Sequence, residues 1–159
     1  MRFLVDANIL LDVLMNRQPH VTDSASIWKL CETGQAEGYI SSLTFANLIY
    51  IMRKEINPKG IEIILDKLSL IFHFADLTSS DLISAAKLQW NDFEDAVQYH
   101  SSLPFAADYI ITRNPKDFTN SSIPVYTPTE FLQIPYWLDE PNSTILNEPE
   151  IRYRKSTKF

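Results

Sequence analysis

The stretch NDFEDAVQYHSSLPFAADYIITRNPKDF, residues 91–118, holds both the fold and the chemistry of this chain in compressed form. It opens on three carboxylates, Asp92, Glu94 and Asp95, at a helix start, where acids complement the positive end of the helix dipole. Asn91 with Glu94 three residues later fits a capping box. An amphipathic segment over 92–103 then leads to Tyr109, Ile110 and Ile111, a short apolar run that reads as a buried strand spanning 109–112. The strand stops on polar groups: Thr112, Arg113, Asn114 and, past Pro115, Asp117. Pro115 limits Asn114 to extended or turn geometry.

Working outward, the N-terminus repeats the pattern. Arg2 to Val5 is a strand that stops on Asp6, with a short helix from Ile9 to Leu14 behind it. A charge placed directly after a buried strand is costly unless it is solvated, paired or metal-bound. Asp is equally a favoured helix cap, so both readings of Asp6 stand at this point. Thr22 or Asp23 is expected to cap a helix ending near Gly34, and Glu37 to Ser41 (EGYIS) reads as a second strand. A third helix carries Phe45, Leu48, Ile49 and Met52 and is expected to run until Pro58 breaks it. Residues 60–70 form a fourth helix and 71–74 a strand in which His73 is expected to be core. The run Thr78 to Asp81 offers caps for a fifth helix through Leu88. Ile123 to Tyr126 is a strand placed at an edge by Pro124, and Thr127 with Pro128 starts a last helix to about Ile134. Strands alternating with helices indicate an α/β fold with a parallel sheet.

At 159 residues the chain is expected to form one domain over 1–134, with 135–159 as a C-terminal extension, extended or partly disordered. An apolar content of 45% and a charged content of 21% are ordinary for a globular protein. No apolar run approaches the roughly 18 residues of a membrane span, and Asp6 interrupts the first one, so neither a membrane segment nor a signal peptide is expected. One cysteine, Cys31, excludes an intrachain disulfide, and three scattered histidines make a Cys/His zinc site improbable. The chain reads as cytoplasmic. Four of its 14 basic residues, Arg152, Arg154, Lys155 and Lys158, follow Glu150, beyond which there is no acid. Residues 1–150 therefore hold 10 basic and 20 acidic groups, a net charge of −10. A protein that grips nucleic acid by bulk electrostatics usually shows a basic face, so local cations and bound metal would have to offset that repulsion.

Ligands bind outside the carboxyl ends of parallel strands, where strand order reverses. Two strands ending in oxygen donors beside an acid-rich helix start point to a hard-metal site. Asp6, Asp92 and Asp95 are the candidate catalytic acids, and Asp6, Asp95 and Asn114 the candidate metal ligands. Asp95, followed by Ala96 and Val97, is expected to face the sheet, and Glu94 to face solvent. Thr112 and Asp117 are candidate supporting groups, and Arg113 and Lys116, as the only local cations, candidate phosphate ligands. Each has a plainer reading: acids at a helix start cap it, Asn114 is an ordinary turn residue, and exposed cations are solvated. The glycine-rich phosphate loop and the serine nucleophile elbow are both absent.

These residues together resemble the PIN domain, particularly its VapC-like toxin branch, through DANILLDVL at residues 6–14, SSLTFANLIYIMRK at 41–54 and DFEDAVQYHSSLPFAADYIITRNPKDF at 92–118. The resemblance runs from Met1 to about Leu132, and the last segment is its most specific part. It implies a three-layer α/β/α fold with a central parallel sheet of about five strands. It also implies an Mg²⁺ or Mn²⁺ site including Asp6 and Asp95, and hydrolysis of RNA to 5′-phosphate and 3′-hydroxyl ends. An antitoxin partner and a homodimer are further expectations of that resemblance. Two positions depart from the pattern: Asn47, which the resemblance makes a further supporting group, and Asn114 stand where many members have acids, and an amide offers a metal its oxygen but no charge. A degenerate PIN domain that binds RNA or protein without cutting is therefore the rival reading. A phosphatase or phospho-receiver using Asp6 as nucleophile would want a second acid two residues on and a later lysine, where this chain has Asn8 and Arg113-Asn114.

Overall fold

The computed structural model describes residues 1–134, and the expected extension over 135–159 lies outside them. Five strands form one sheet: β1 (Arg2–Val5), β2 (Glu37–Ser41), β3 (Phe72–Ala75), β4 (Tyr109–Ile111) and β5 (Val125–Tyr126). Every pairing is parallel and the order is β3-β2-β1-β4-β5. The chain builds outward from β1 to β3, then returns to the other side of β1 to place β4. Strand order thus reverses between β1 and β4, and in open parallel sheets the crevice outside the carboxyl ends at such a point is where ligands bind.

Burial follows from period-two alternation along strands covered on both faces. Phe3 and Val5 of β1, Ile40 of β2 and Ile111 of β4 point to one side. There they meet α1 (Ala7–Leu14), α2 (Val21–Glu32), α3 (Ser42–Met52), α4 (Pro58–Ile71) and α7 (Pro128–Leu132). Leu4 and Ile110 point to the other side, onto Tyr99 of α6 (Phe93–Ser102) and Phe118. Ala96 and Val97 of α6 in turn pack on Ala85 of α5 (Ser79–Lys87). Helices lie on both faces, giving the expected three-layer α/β/α architecture.

Most boundaries fall where local chemistry puts them. Thr78 and Thr127 begin α5 and α7 with complete capping boxes, closed by Asp81 and Glu130. Several expectations need correction. The helix α3 ends at Met52, and Pro58 starts α4 behind the cap Asn57 instead of breaking α3. The N-cap of α2 is His20, with no side-chain cap bond, so neither Thr22 nor Asp23 caps it. His73 is exposed in its strand rather than core. The edge strand β5 is only two residues long, with Pro124 contributing its carbonyl to the Ile110 N–H. Among the described residues no helix is long and apolar enough to cross a membrane.

Candidate metal centre

The register between β1 and β4 dictates the first contact of the site. Val5 lies opposite Ile111, so the next residues, Asp6 and Thr112, leave the sheet side by side. The Asp6 N–H donates to the Ile111 carbonyl at 3.1 Å, continuing the ladder by one bond. The Thr112 hydroxyl then donates to Asp6 Oδ2 at 2.7 Å, and Asn8 Nδ2 donates to the same oxygen at 2.6 Å. Asn8 Oδ1 in turn accepts the Arg113 backbone N–H at 3.1 Å. Asp6 occupies the N-cap position of α1, yet its side chain makes no cap bond. Its carboxylate is therefore oriented across the β1–β4 boundary and not along its own helix. Burial pushes its pKa up, against hydrogen bonds from Thr112, the Ala7 backbone and Gln98.

The second part of the site is the start of α6. Asp92, not Asn91, is the cap: its Oδ1 accepts the Glu94 N–H at 2.8 Å and the Asp95 N–H at 3.4 Å. One oxygen of Asp92 is thus committed to the helix. Asp95 is only partly exposed, and its pKa is raised to about 7. Desolvation is the largest cause, followed by the charges of Asp92, Asp6, Asp117 and Glu94. Residues from the end of β1, the start of α6 and the turn after β4 therefore share one electrostatic neighbourhood. Glu94 does not face away as expected: it is half-buried, accepts Gln98 Nε2 at 3.4 Å, and contributes to raising Asp6.

Five acids crowd this crevice, but crowding is not coordination. Among the described residues no three His, Cys, Asp or Glu side chains are grouped closely enough to hold a metal ion. Mg²⁺ asks for less than such a group, since it keeps several waters and is commonly held through one or two carboxylates. Asp6 and Asp95 meet that requirement in donor type, and their pKa values are raised first by burial and then by neighbouring acids, both of which a cation would offset. Asn114 is exposed at the start of the 3-10 turn Pro115–Phe118, and its side chain caps nothing. Its backbone N–H donates to Thr112 Oγ1 at 3.0 Å, which holds the loop against the Asp6 pair. Asp117 is exposed on the same turn, and Asn47 is half-buried on α3.

Sequence reading missed three polar residues that build this region. Gln98 is buried and links α6 to α3, where the Thr44 hydroxyl lies 3.2 Å from Gln98 Oε1. Its spacing, three after Asp95 and four after Glu94, put it on the acidic face and was the available signal. Asn8 was visible only as a polar neighbour of Asp6. Asp12 is fully buried among the apolar residues of α1, and one of its oxygens accepts the Ser24 hydroxyl at 2.9 Å. Its partner is Arg113, whose Nη1 lies 3.3 Å from Asp12 Oδ1. The guanidinium expected to await a phosphate is thus already paired, whereas Lys116 is exposed.

With the geometry in place, comparison with known proteins adds three findings. A family model described as PIN domain matches residues 2–116. No curated protein matches the chain. Solved structures share the fold at low identity. VapBC2 from Rickettsia felis, bound to a promoter DNA fragment, matches at 15% identity with a TM-score of 0.59, covering 80% of this chain and 98% of that one. VapBC-1 from nontypeable Haemophilus influenzae matches at 18% and 0.59, over 81% and 99%. FitAcB from Neisseria gonorrhoeae matches at 18% and 0.54, over the same shares.

Proposed function

The chain belongs to the PIN domain family, and on that premise we propose that it is a divalent-metal-dependent endoribonuclease. The observation that carries this reading is the placement of Asp6 at the end of β1 and Asp95 in the first turn of α6, near enough for their charges to interact, at the point where strand order reverses. Carboxylates are brought together against their mutual repulsion, which is costly unless positive charge joins them. Asp6 and Asp95 would hold Mg²⁺ or Mn²⁺, with Asn114 as a neutral oxygen donor. A cation bound there supplies Lewis acidity, lowering the pKa of water and stabilising charge on phosphoryl oxygens. The chain's own residues do the rest. Thr112 and Asn8 fix the direction of the Asp6 carboxylate. Asp95, with Asp92, Asp6, Asp117 and Glu94 nearby, brings to the same point a carboxylate that would be ionised once the cation is bound. Asp92 holds the first turn of α6, and with it Asp95, in place. The solved neighbours, VapBC and FitAcB assemblies, support the further reading that this chain is the toxin of a toxin–antitoxin pair.

The test is cleavage of labelled RNA oligonucleotides by purified protein with Mg²⁺ or Mn²⁺. Asp6→Asn and Asp95→Asn should each lower the rate by about a hundredfold or more, and chelation should abolish it. A Mn²⁺ titration showing no saturable binding at millimolar metal would sink the proposal. One observation favours a rival. The missing three-acid group, with Asn47 and Asn114 at positions often acidic, suits a PIN domain that binds RNA or a protein without cutting. RNA retained equally by wild type and Asp95→Asn, with no cleavage by either, would establish that reading instead.

A further inference from the structure

Between the end of β4 and the first turn of α2 the surface opens into a groove of about 380 Å³, lined among others by Pro19, His20, Asp23, Arg113, Pro128 and Thr129. It adjoins the carboxylate crevice through one residue. Arg113 lines the groove, and its backbone N–H holds Asn8, which holds Asp6. Beneath the guanidinium lies Asp12, fully buried and also fastened to Ser24, so the arginine is fixed from below. On another wall the Asp23 carboxylate accepts the Thr129 hydroxyl, tying α2 to α7.

The charges decide which ligand this groove suits. Asp12 cancels Arg113, and Asp23 leaves the groove negative, which disfavours a phosphate. What remains is a rigid set of N–H donors on Arg113, a carboxylate acceptor on Asp23, and flat walls of two proline rings and an imidazole. A carboxylate offers roughly four acceptor sites, of which the Thr129 hydroxyl takes one. The volume sits at the small end of the range for small-molecule pockets. An uncharged planar group with an acceptor edge and a donor edge fits these walls. Among nucleobases, guanine presents O6 and N7 to an arginine and amino and imino hydrogens to a carboxylate. Splayed bases of single-stranded RNA are commonly held against flat side chains such as histidine. We propose that this groove seats a guanine base of the bound RNA strand, beside the nucleotide whose phosphodiester lies at the carboxylate crevice. The assignment rests on the nuclease reading for its substrate class, but not for its ligand chemistry.

The experiment is a titration of the full chain with guanosine, adenosine, cytidine and uridine in the presence of EDTA, followed by NMR chemical shifts. Guanosine should bind saturably and be preferred by roughly tenfold or more. Thr129→Trp, which fills the groove from an exposed position, should abolish binding, and Asp23→Asn should erase the preference while leaving the fold's spectrum intact. No saturable binding at millimolar nucleoside, equal affinity for all four, or binding indifferent to Thr129→Trp would overturn the proposal. The two readings fail separately. Guanosine bound by a protein that never cuts RNA leaves the groove standing and removes the nuclease. RNA cut without base preference by a chain whose groove stays silent does the reverse.

Discussion

Asp95 is the residue on which pH acts. Its folded pKa, about 7, lies above the 3.8 of an ordinary aspartate, so the folded state holds a proton that the unfolded state releases. Stability from this group is therefore present at low pH and is lost as pH rises from about 4 to about 7. The melting temperature in EDTA should fall across that window, and Asp95→Asn should flatten the curve there. Millimolar Mn²⁺ should restore the loss at pH 7 or above, since a cation replaces the proton as the partner of the carboxylate. A melting temperature that does not move between pH 4 and 7 would mean that neither burial nor the neighbouring acids raise Asp95. Asp6 and Asp95 were legible because a carboxylate where an apolar strand stops, or in excess of one helix cap, needs a reason beyond solubility. Asp12 was not, because its partner Arg113 lies more than 50 residues away and no local pattern links the two, and for Gln98 the spacing showed its helix face but not its partner Thr44.

Elements were easier to read than contacts. All five strands and seven helices of the described residues appear in the expected order, because hydrophobic period and turn residues are local signals. Most errors sit at helix starts, where several polar residues compete and only geometry selects one, and the exposed His73 is the exception within a strand. Asp92 wins over Asn91 because its side chain reaches two N–H groups, and Glu94 is then free to turn toward Asp6. Strand β2 holds a second hidden constraint. A Cβ on Gly38 would lie 2.6 Å from Phe72 Cδ1 and 2.7 Å from Cys31 Sγ, both on buried residues. Gly38→Ala must push apart α2, β2 and β3, at a cost of about 1–3 kcal/mol. Urea unfolding measures it directly: the midpoint should drop, and Phe72→Leu in the same chain should recover part of the loss. An unchanged midpoint would show that this seam has slack.

At the scale of the whole molecule, charge opposes the proposed substrate. The full chain carries −6, and Asp95 has four further acids, Asp92, Asp6, Asp117 and Glu94, in its neighbourhood. Repulsion between like charges weakens as salt shortens the Debye length to about 10 Å at 0.1 M. With Mg²⁺ held constant, KM for an RNA oligonucleotide should therefore fall or stay level as ionic strength rises to that point. A steep climb, the usual mark of a basic nucleic-acid-binding face, would contradict it. The sheet's strand order has a consequence in time as well as space. The strand made first, β1, takes the central position, and one of its two neighbours, β4, is made about a hundred residues later. At ribosomal speeds of 5–20 residues per second that interval is roughly 5–20 s. Throughout it, Asp6 has no Thr112 beside it. A nascent chain therefore carries Asp6 for that interval without the hydroxyl that orients its carboxylate, and the pairing at the centre cannot form until β4 has been made.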